Sequence, residues 1–252
     1  MPQPVHMFWI GRTLGPVHRA CIRSVQRQGH AIVFHQFTPP VDLPEGIELF
    51  DARQLMAEDE ARRYELVNSL TVASNIYRYR IQREGLGLYL DCDIFLLKPV
   101  PEAEYVLGWE AQNSINNAVL KLPRDSDTLK LLLSYSEDPY FIPPWLSAQR
   151  RRELRFRKAI GFGKPVTQHV WGTSGPKLLT HVVEQTGKTD LVSPIDVFYP
   201  LHHDYMPLLD REGVGIAHLT TPNTVGLHLT HGALRLAAPR AGSALYEILA
   251  AA

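Results

Sequence analysis

The sequence predicts an α/β fold, on three observations. Apolar runs of strand length alternate with amphipathic stretches of helix length. Apolar residues make up 45% of the chain and charged residues 21%, an ordinary globular composition that excludes disorder, collagen-like repeats and a long coiled coil. No internal repeat or low-complexity linker divides the 252 residues, so the whole chain, 1–252, reads as one domain.

The elements follow in order. Val5 to Ile10 is a short apolar strand stopped by Gly11. His18 to Gln28 suits a first helix and Ala31 to Phe37 a second strand, with Pro39, Pro40 and Pro44 marking a loop. From about Glu60 to Arg83 the spacing predicts one long helix. Leu66, Leu70, Ala73, Tyr77 and Ile81 form its apolar stripe, flanked by a polar row of Thr71, Asn75, Arg78 and Gln82. Gly85 and Gly87 end that helix, and Leu88 to Pro99 reads as one buried strand. Asn116 to Leu122 begins another core strand with two amides, and Asp127 to Tyr135 is a short helix.

Charge and cysteine content exclude further classes. Lys and Arg match Asp and Glu at 26 each, whereas a duplex-binding protein needs a basic excess to neutralise phosphates, so no nucleic-acid partner is expected. Two cysteines, Cys21 and Cys92, are too few for a disulfide framework or a Cys-rich zinc site and read as reduced thiols. Met1-Pro2-Gln3-Pro4 lacks the basic start of a signal peptide, and no apolar run approaches the ~18–20 residues that span a bilayer. A cytoplasmic protein, peripheral to a membrane at most, is the expectation.

Asp91 and Asp93 carry the most information. Random placement of 12 Asp gives roughly half a D-x-D pair, so the spacing alone says little. Asp125 and Asp127 repeat that spacing and read simply as a helix N-terminus. Asp91 and Asp93 differ in context, because apolar residues precede and follow them. Two carboxylates there repel each other and lose solvation, and a hard divalent cation such as Mn2+ or Mg2+ relieves both penalties. On a strand, residues i and i+2 share a face and can address one ion.

The segment from Ala73 to Pro99, with A-S-N-x-x-R-Y, G-L-G-L-Y-L-D-C-D and F-L-L-K-P, resembles the sugar-binding region of DXD-containing glycosyltransferases. These are the group of capsular polysaccharide synthesis enzymes and yeast-type initiating mannosyltransferases. His6, Phe8, Trp9, Ile10 and Gly11 are similar to the family's first strand, and Val225 to His228 to its late histidine. Asn75 stands where the family usually carries Asp, and Leu86 where it usually carries Gly.

The resemblance implies a GT-A fold, a single Rossmann-like α/β/α domain with a mixed central sheet. It implies a metal-dependent, retaining hexosyltransferase that uses a nucleotide diphosphate sugar, UDP-sugar favoured, on a saccharide or lipid-linked acceptor in polysaccharide or glycolipid assembly. Asp93 would then ligate Mn2+ or Mg2+, with Asp91 reaching the ribose or the ion's water shell. Arg78, Asn75 and Tyr79 would belong to the sugar and diphosphate side. His228 is the candidate third ligand or a diphosphate contact; a core histidine is the plain alternative, and His231 could take the role instead. Phe8 and Trp9 suit either base stacking or core packing, and Ile10 and Gly11 continue that edge. Asn116 and Asn117 suit sugar hydroxyls or a turn. Trp171, Gly175 and Pro176 would line the acceptor side.

Arg150, Arg151, Arg152, Arg155, Arg157 and Lys158 alternate with Leu154 and Phe156 and read either as a solvated helix face or as a contact for anionic membrane. Three other functions compete. One is a DxD phosphatase of the haloacid-dehalogenase type, and another a hydrolase metal site at His202, His203 and Asp204, with His218 and His231 nearby. The third is a sugar-nucleotide-binding protein without catalysis.

Overall fold

The computed structural model describes residues 2–67, 69–230 and 238–251. The chain forms β1 (Val5–Trp9), α1 (Gly15–Arg27), β2 (Ile32–Gln36), β3 (Glu48–Asp51), α2 (Glu58–Glu65), α3 (Leu70–Arg83), β4 (Leu88–Leu90) and β5 (Ile94–Leu96). Next come β6 (Val106–Ala111), β7 (Ser114–Lys121), α4 (Asp127–Ser136), α5 (Ala148–Ala159), α6 (Pro176–Gln185), α7 (Ile195–Phe198), β8 (Gly226–His228) and α8 (Ala244–Ala250). A six-stranded sheet runs in the order β3-β2-β1-β4-β7-β6. Its first four strands are mutually parallel, and β7 pairs antiparallel with both β4 and β6. The predicted α/β class holds, with a mixed sheet at its centre.

Residues of β1 alternate between two cores, as a pleated strand covered on both sides requires. Val5 and Met7 pack with Ile22 and Val25 of α1 and with Phe198 of α7. Phe8 points the other way, into the layer of α3, α4 and α6, with Tyr77, Leu129 and Leu178. His6 is buried too, and its Nδ1 lies 2.8 Å from Nε2 of buried His35, whose Nδ1 lies 2.9 Å from the Tyr77 hydroxyl. One tautomer set satisfies both links: Tyr77 donates to His35 and His35 to His6. Burial favours the neutral form of both rings.

Two expected elements are broken. The span from Glu60 to Arg83 is two helices rather than one. Ser69 N–H bonds back to Tyr64 O at 2.8 Å, closing the first, and Leu66 of the expected apolar stripe is 83% exposed. Of the polar row of α3, Thr71 is exposed while Asn75, Arg78 and Gln82 are buried: Gln82 accepts from Leu122 N and donates to Gly87 O, clamping α3 to the sheet. The strand expected over Leu88 to Pro99 is likewise two strands in different sheets. Asp91 N bonds to Ala118 O at 2.8 Å, Ile94 N bonds to Asp91 O at 3.1 Å, and the chain turns. Asp is a turn former that a buried ladder tolerates poorly, and here the turn prevails over the apolar run. β5 then pairs antiparallel with β8, Ile94 opposite His228. Among the described residues no helix is long and apolar enough to cross a membrane.

The histidine chain makes stability depend on pH. Burial is the main cause that pulls His6 down to about 4 and His35 to about 3, from 6.5. Between those values and 6.5 the unfolded chain takes up protons that the folded chain refuses. Their contribution is thus complete above pH 6.5 and is lost as pH falls towards 4, by up to about 2.7 kcal/mol per pH unit for two groups. Urea unfolding at about pH 7.5 and about pH 5 should show that loss; equal midpoints would contradict neutral rings.

Candidate functional site

The turn between β4 and β5 sits at the C-terminal end of a parallel strand, where α/β sheets open their ligand crevices. Phe8, Trp9 and Ile10 from the end of β1, His18 of α1, Thr71, Ser74 and Arg78 of α3, and Asp91 to Asp93 enclose a cleft of about 320 Å³. An adjoining groove of about 530 Å³ shares Trp9 and Ile10 as its wall and continues past Gly11, Phe37 and Thr38. A larger depression of about 670 Å³ lies along Arg19, Arg23 and Arg27, away from the acids.

The two acids are held differently. Asp91 is held at both oxygens: Arg78 donates to Oδ2 at 2.9 Å and the Tyr89 hydroxyl to Oδ1 at 2.7 Å, one donor on each. Arg78 is 4% exposed and also donates to the Asn117 carbonyl at 2.6 Å and the Ser74 hydroxyl at 2.9 Å. Its guanidinium lies over the Tyr89 ring, 4.8 Å from the centroid. Asp93 is open: its Oδ1 is buried without a hydrogen bond among the described residues, and His228 Nε2 stands 3.4 Å away, an ion-pair separation. Donor atoms of Asp91, Asp93 and His228 all lie within 4.8 Å of one another. The side chains of Asp91 and Asp93 keep 24% and 21% exposure, so a ligand reaches both.

Electrostatics follows that geometry. Burial raises the Asp91 pKa, and Asp93 adds to the rise, against the pull of Arg78. For Asp93 burial also pushes upward, but the imidazole of His228 outweighs it and holds the carboxyl below its usual value. His228 is raised correspondingly, because Asp93 overcomes the burial that would lower it. An orphaned carboxylate oxygen, a second carboxylate and an imidazole nitrogen form a donor set that fits a hard divalent cation.

Other expected site residues lie behind the cleft rather than in it. Asn75 donates to the Ser174 hydroxyl at 3.1 Å and accepts from Asn117 at 2.9 Å. Asn117 also donates to the Tyr79 hydroxyl, which in turn donates to the Ser174 carbonyl. Asn116 accepts from Ala118 N and donates to Glu110. These amides lie inside β7, not at its edge, and serve as connectors. Gly175 abuts Asn75 so closely that a Cβ would lie 2.8 Å from its Nδ2. Pro176 starts α6 and is buried, while Trp171 is 73% exposed and does not line the cleft. Phe8 is 5% exposed and stacks on Tyr77 at 3.7 Å, so the ring that borders the cleft is also anchored in the core. Trp9 reaches the cleft, tilted over His18 at 4.6 Å, and its buried Nε1 has no partner among the described residues.

His18 and Tyr89 escaped sequence reasoning. His18 is a helix residue whose Nδ1 is committed to the Leu14 carbonyl at 2.6 Å, which leaves Nε2 as its second polar atom. No local pattern marks it, since its neighbourhood with the acids is created by packing. Thr71 and Ser74 did carry a signal, the polar row of α3. The donor atoms of His202, His203 and Asp204 also lie within 4.8 Å of one another, but on side chains that are 37–70% exposed. His231 falls outside the described residues.

No protein-family model matches the chain, and no curated protein matches its sequence. Among solved structures, the chain is similar to PaToxG glycosyltransferase, with a TM-score of 0.46 and 16% identity over 73% of this chain and 70% of that one. It is also similar to a transferase bearing two cysteine-to-serine substitutions, with a TM-score of 0.33 and 11% identity over 68% and 88% of the two chains.

Removing Arg78 strands a carboxylate among apolar neighbours. Arg78→Met should cost about 3–5 kcal/mol in urea unfolding. Adding Asp91→Asn should restore part of the loss; strictly additive losses would show that the pair is not coupled.

Proposed function

We propose that this chain transfers a hexose from a nucleotide diphosphate sugar to a saccharide or lipid-linked acceptor, with Mn2+ or Mg2+ bound by Asp91, Asp93 and His228. One observation carries this reading: an Asp93 oxygen buried without a hydrogen bond among the described residues lies near a second acid and 3.4 Å from an imidazole nitrogen, at the C-terminal end of a parallel strand. The DXD-type resemblance over Ala73 to Pro99 supports a sugar nucleotide as the ligand, with a UDP-sugar favoured and configuration retained.

Bound there, the ion would neutralise charge that builds on the departing diphosphate. The chain's own groups do the rest. Arg78 and Tyr89 fix the Asp91 carboxylate, so that its orientation costs nothing when the donor arrives. Trp9 Nε1–H has no acceptor among the described residues and would donate to a phosphate or ribose oxygen of the bound donor. With Nδ1–H committed to Leu14, His18 keeps Nε2 for a polar contact with the bound donor. The groove beyond Trp9 leaves room for the base. A phosphatase of the DxD type would need Asp91 free to attack, and both of its oxygens are held.

Thermal-shift screening of UDP- and GDP-sugars with and without Mn2+ identifies the donor, because a ligand of the folded state raises its melting point. Asp93→Ala should abolish the metal-dependent shift and lower nucleotide release about 10²–10³-fold, while the protein stays folded. Undiminished turnover would sink the assignment. Donor binding without release of nucleotide would identify a non-catalytic sugar-nucleotide-binding protein. Trp9→Phe keeps the aromatic surface but deletes the donor, and should weaken sugar-nucleotide affinity about tenfold.

A further inference from the structure

We infer that α5 and the turn that ends it form a docking surface for a bilayer carrying anionic lipids. Six bases and one acid give this helix a formal charge of plus five in a chain whose total is zero. Arg150 pairs with Glu153 and Lys158 with Asp138. Among the described residues, Arg152, Arg155 and Arg157 have no carboxylate within ion-pair distance. Such a surface repels itself until a polyanion covers it.

Its shape selects the kind of polyanion. Leu154 alone of α5 is buried, which fixes the inward direction. At 100° per residue, Phe156 projects about 160° away from it, with Ile160 one turn further along the same ridge. Phe156 is 65% exposed and Ile160 52%. The helix then closes with Gly161 N bonded to Lys158 O and Phe162 N bonded to Arg157 O, with Gly161 at φ 84°. This glycine-dependent ending sets Phe162, 69% exposed, beside the ridge. An apolar crest between arginines is the pattern of a helix lying in a membrane interface. The rings and Ile160 enter the acyl boundary while guanidinium groups meet phosphates. A nucleic acid offers the crest nothing to replace the water it loses at Ile160.

Position in the chain gives the surface a use. Beyond Phe162 the backbone runs through exposed Val170 and Trp171 to Ser174, whose hydroxyl accepts from Asn75 behind the cleft. Docking would keep the chain at the surface that carries lipid-borne acceptors, a consequence that rests on the transferase reading; binding to vesicles does not.

The test is co-sedimentation of the full chain, without donor or metal, with vesicles of phosphatidylcholine alone or with about 30% phosphatidylglycerol, at about 0.1 M salt. The protein should sediment only with the anionic vesicles and be released at about 0.5 M salt. Arg152→Glu with Arg155→Glu should lower partitioning at least about tenfold, and Phe156→Ser with Ile160→Ser by about tenfold. Melting temperature and sugar-nucleotide shifts should stay unchanged in both variants, since neither touches the cleft. No sedimentation with anionic vesicles, or equal sedimentation of wild type and variants, would overturn the proposal. So would binding to a single-stranded RNA oligonucleotide in preference to vesicles.

Discussion

A carboxylate that loses water needs donors or a cation, and the centre of this molecule is organised by that requirement. Asp91 meets it with the protein's own atoms, Arg78 and Tyr89. Arg78 is buried and in turn needs Asn117, Ser74 and the face of Tyr89. Those partners tie α3 to β4 and β7, so one buried ion pair fixes how three elements meet. Asp93, two residues on, has an imidazole at 3.4 Å and an oxygen left over. The contrast fixes one acid in position and leaves the other with an oxygen not yet hydrogen-bonded among the described residues.

The polar network behind the cleft extends the same logic. Asn75, Asn117, Tyr79 and Ser174 satisfy one another at the junction of α3, β7 and the start of α6. Complete networks of this kind favour one arrangement of a core over its near alternatives, because any shift leaves several groups unpaired at once. Gly175 sets how closely the loop approaches, since the Asn75 amide occupies the space a side chain would need.

What was legible in the sequence was local. The first strand, the first helix and α4 follow from periodicity, and Asp91 and Asp93 stood out because acids interrupted an apolar run. Breaks in that run were not legible: β4 and β5 have three residues each, and their joint hydrophobicity is also that of one long strand. Nor could spacing tell which polar residues of α3 face a ligand. Asn75 and Arg78 share its polar flank with Thr71, yet the first two are consumed by partners 42, 99 and 13 residues away. His18 joins the acids only through folding.

The division of the acidic segment between two sheets has a consequence for assembly. Asp93 precedes β5, whose hydrogen-bonding mate β8 carries His228 more than a hundred positions downstream. Six strands of the main layer are already synthesised by Lys121. A growing polypeptide therefore carries all six strands of the main layer before the imidazole that meets Asp93 is made, while the α6 and α7 side chains that cover the two faces of β1 are still to come.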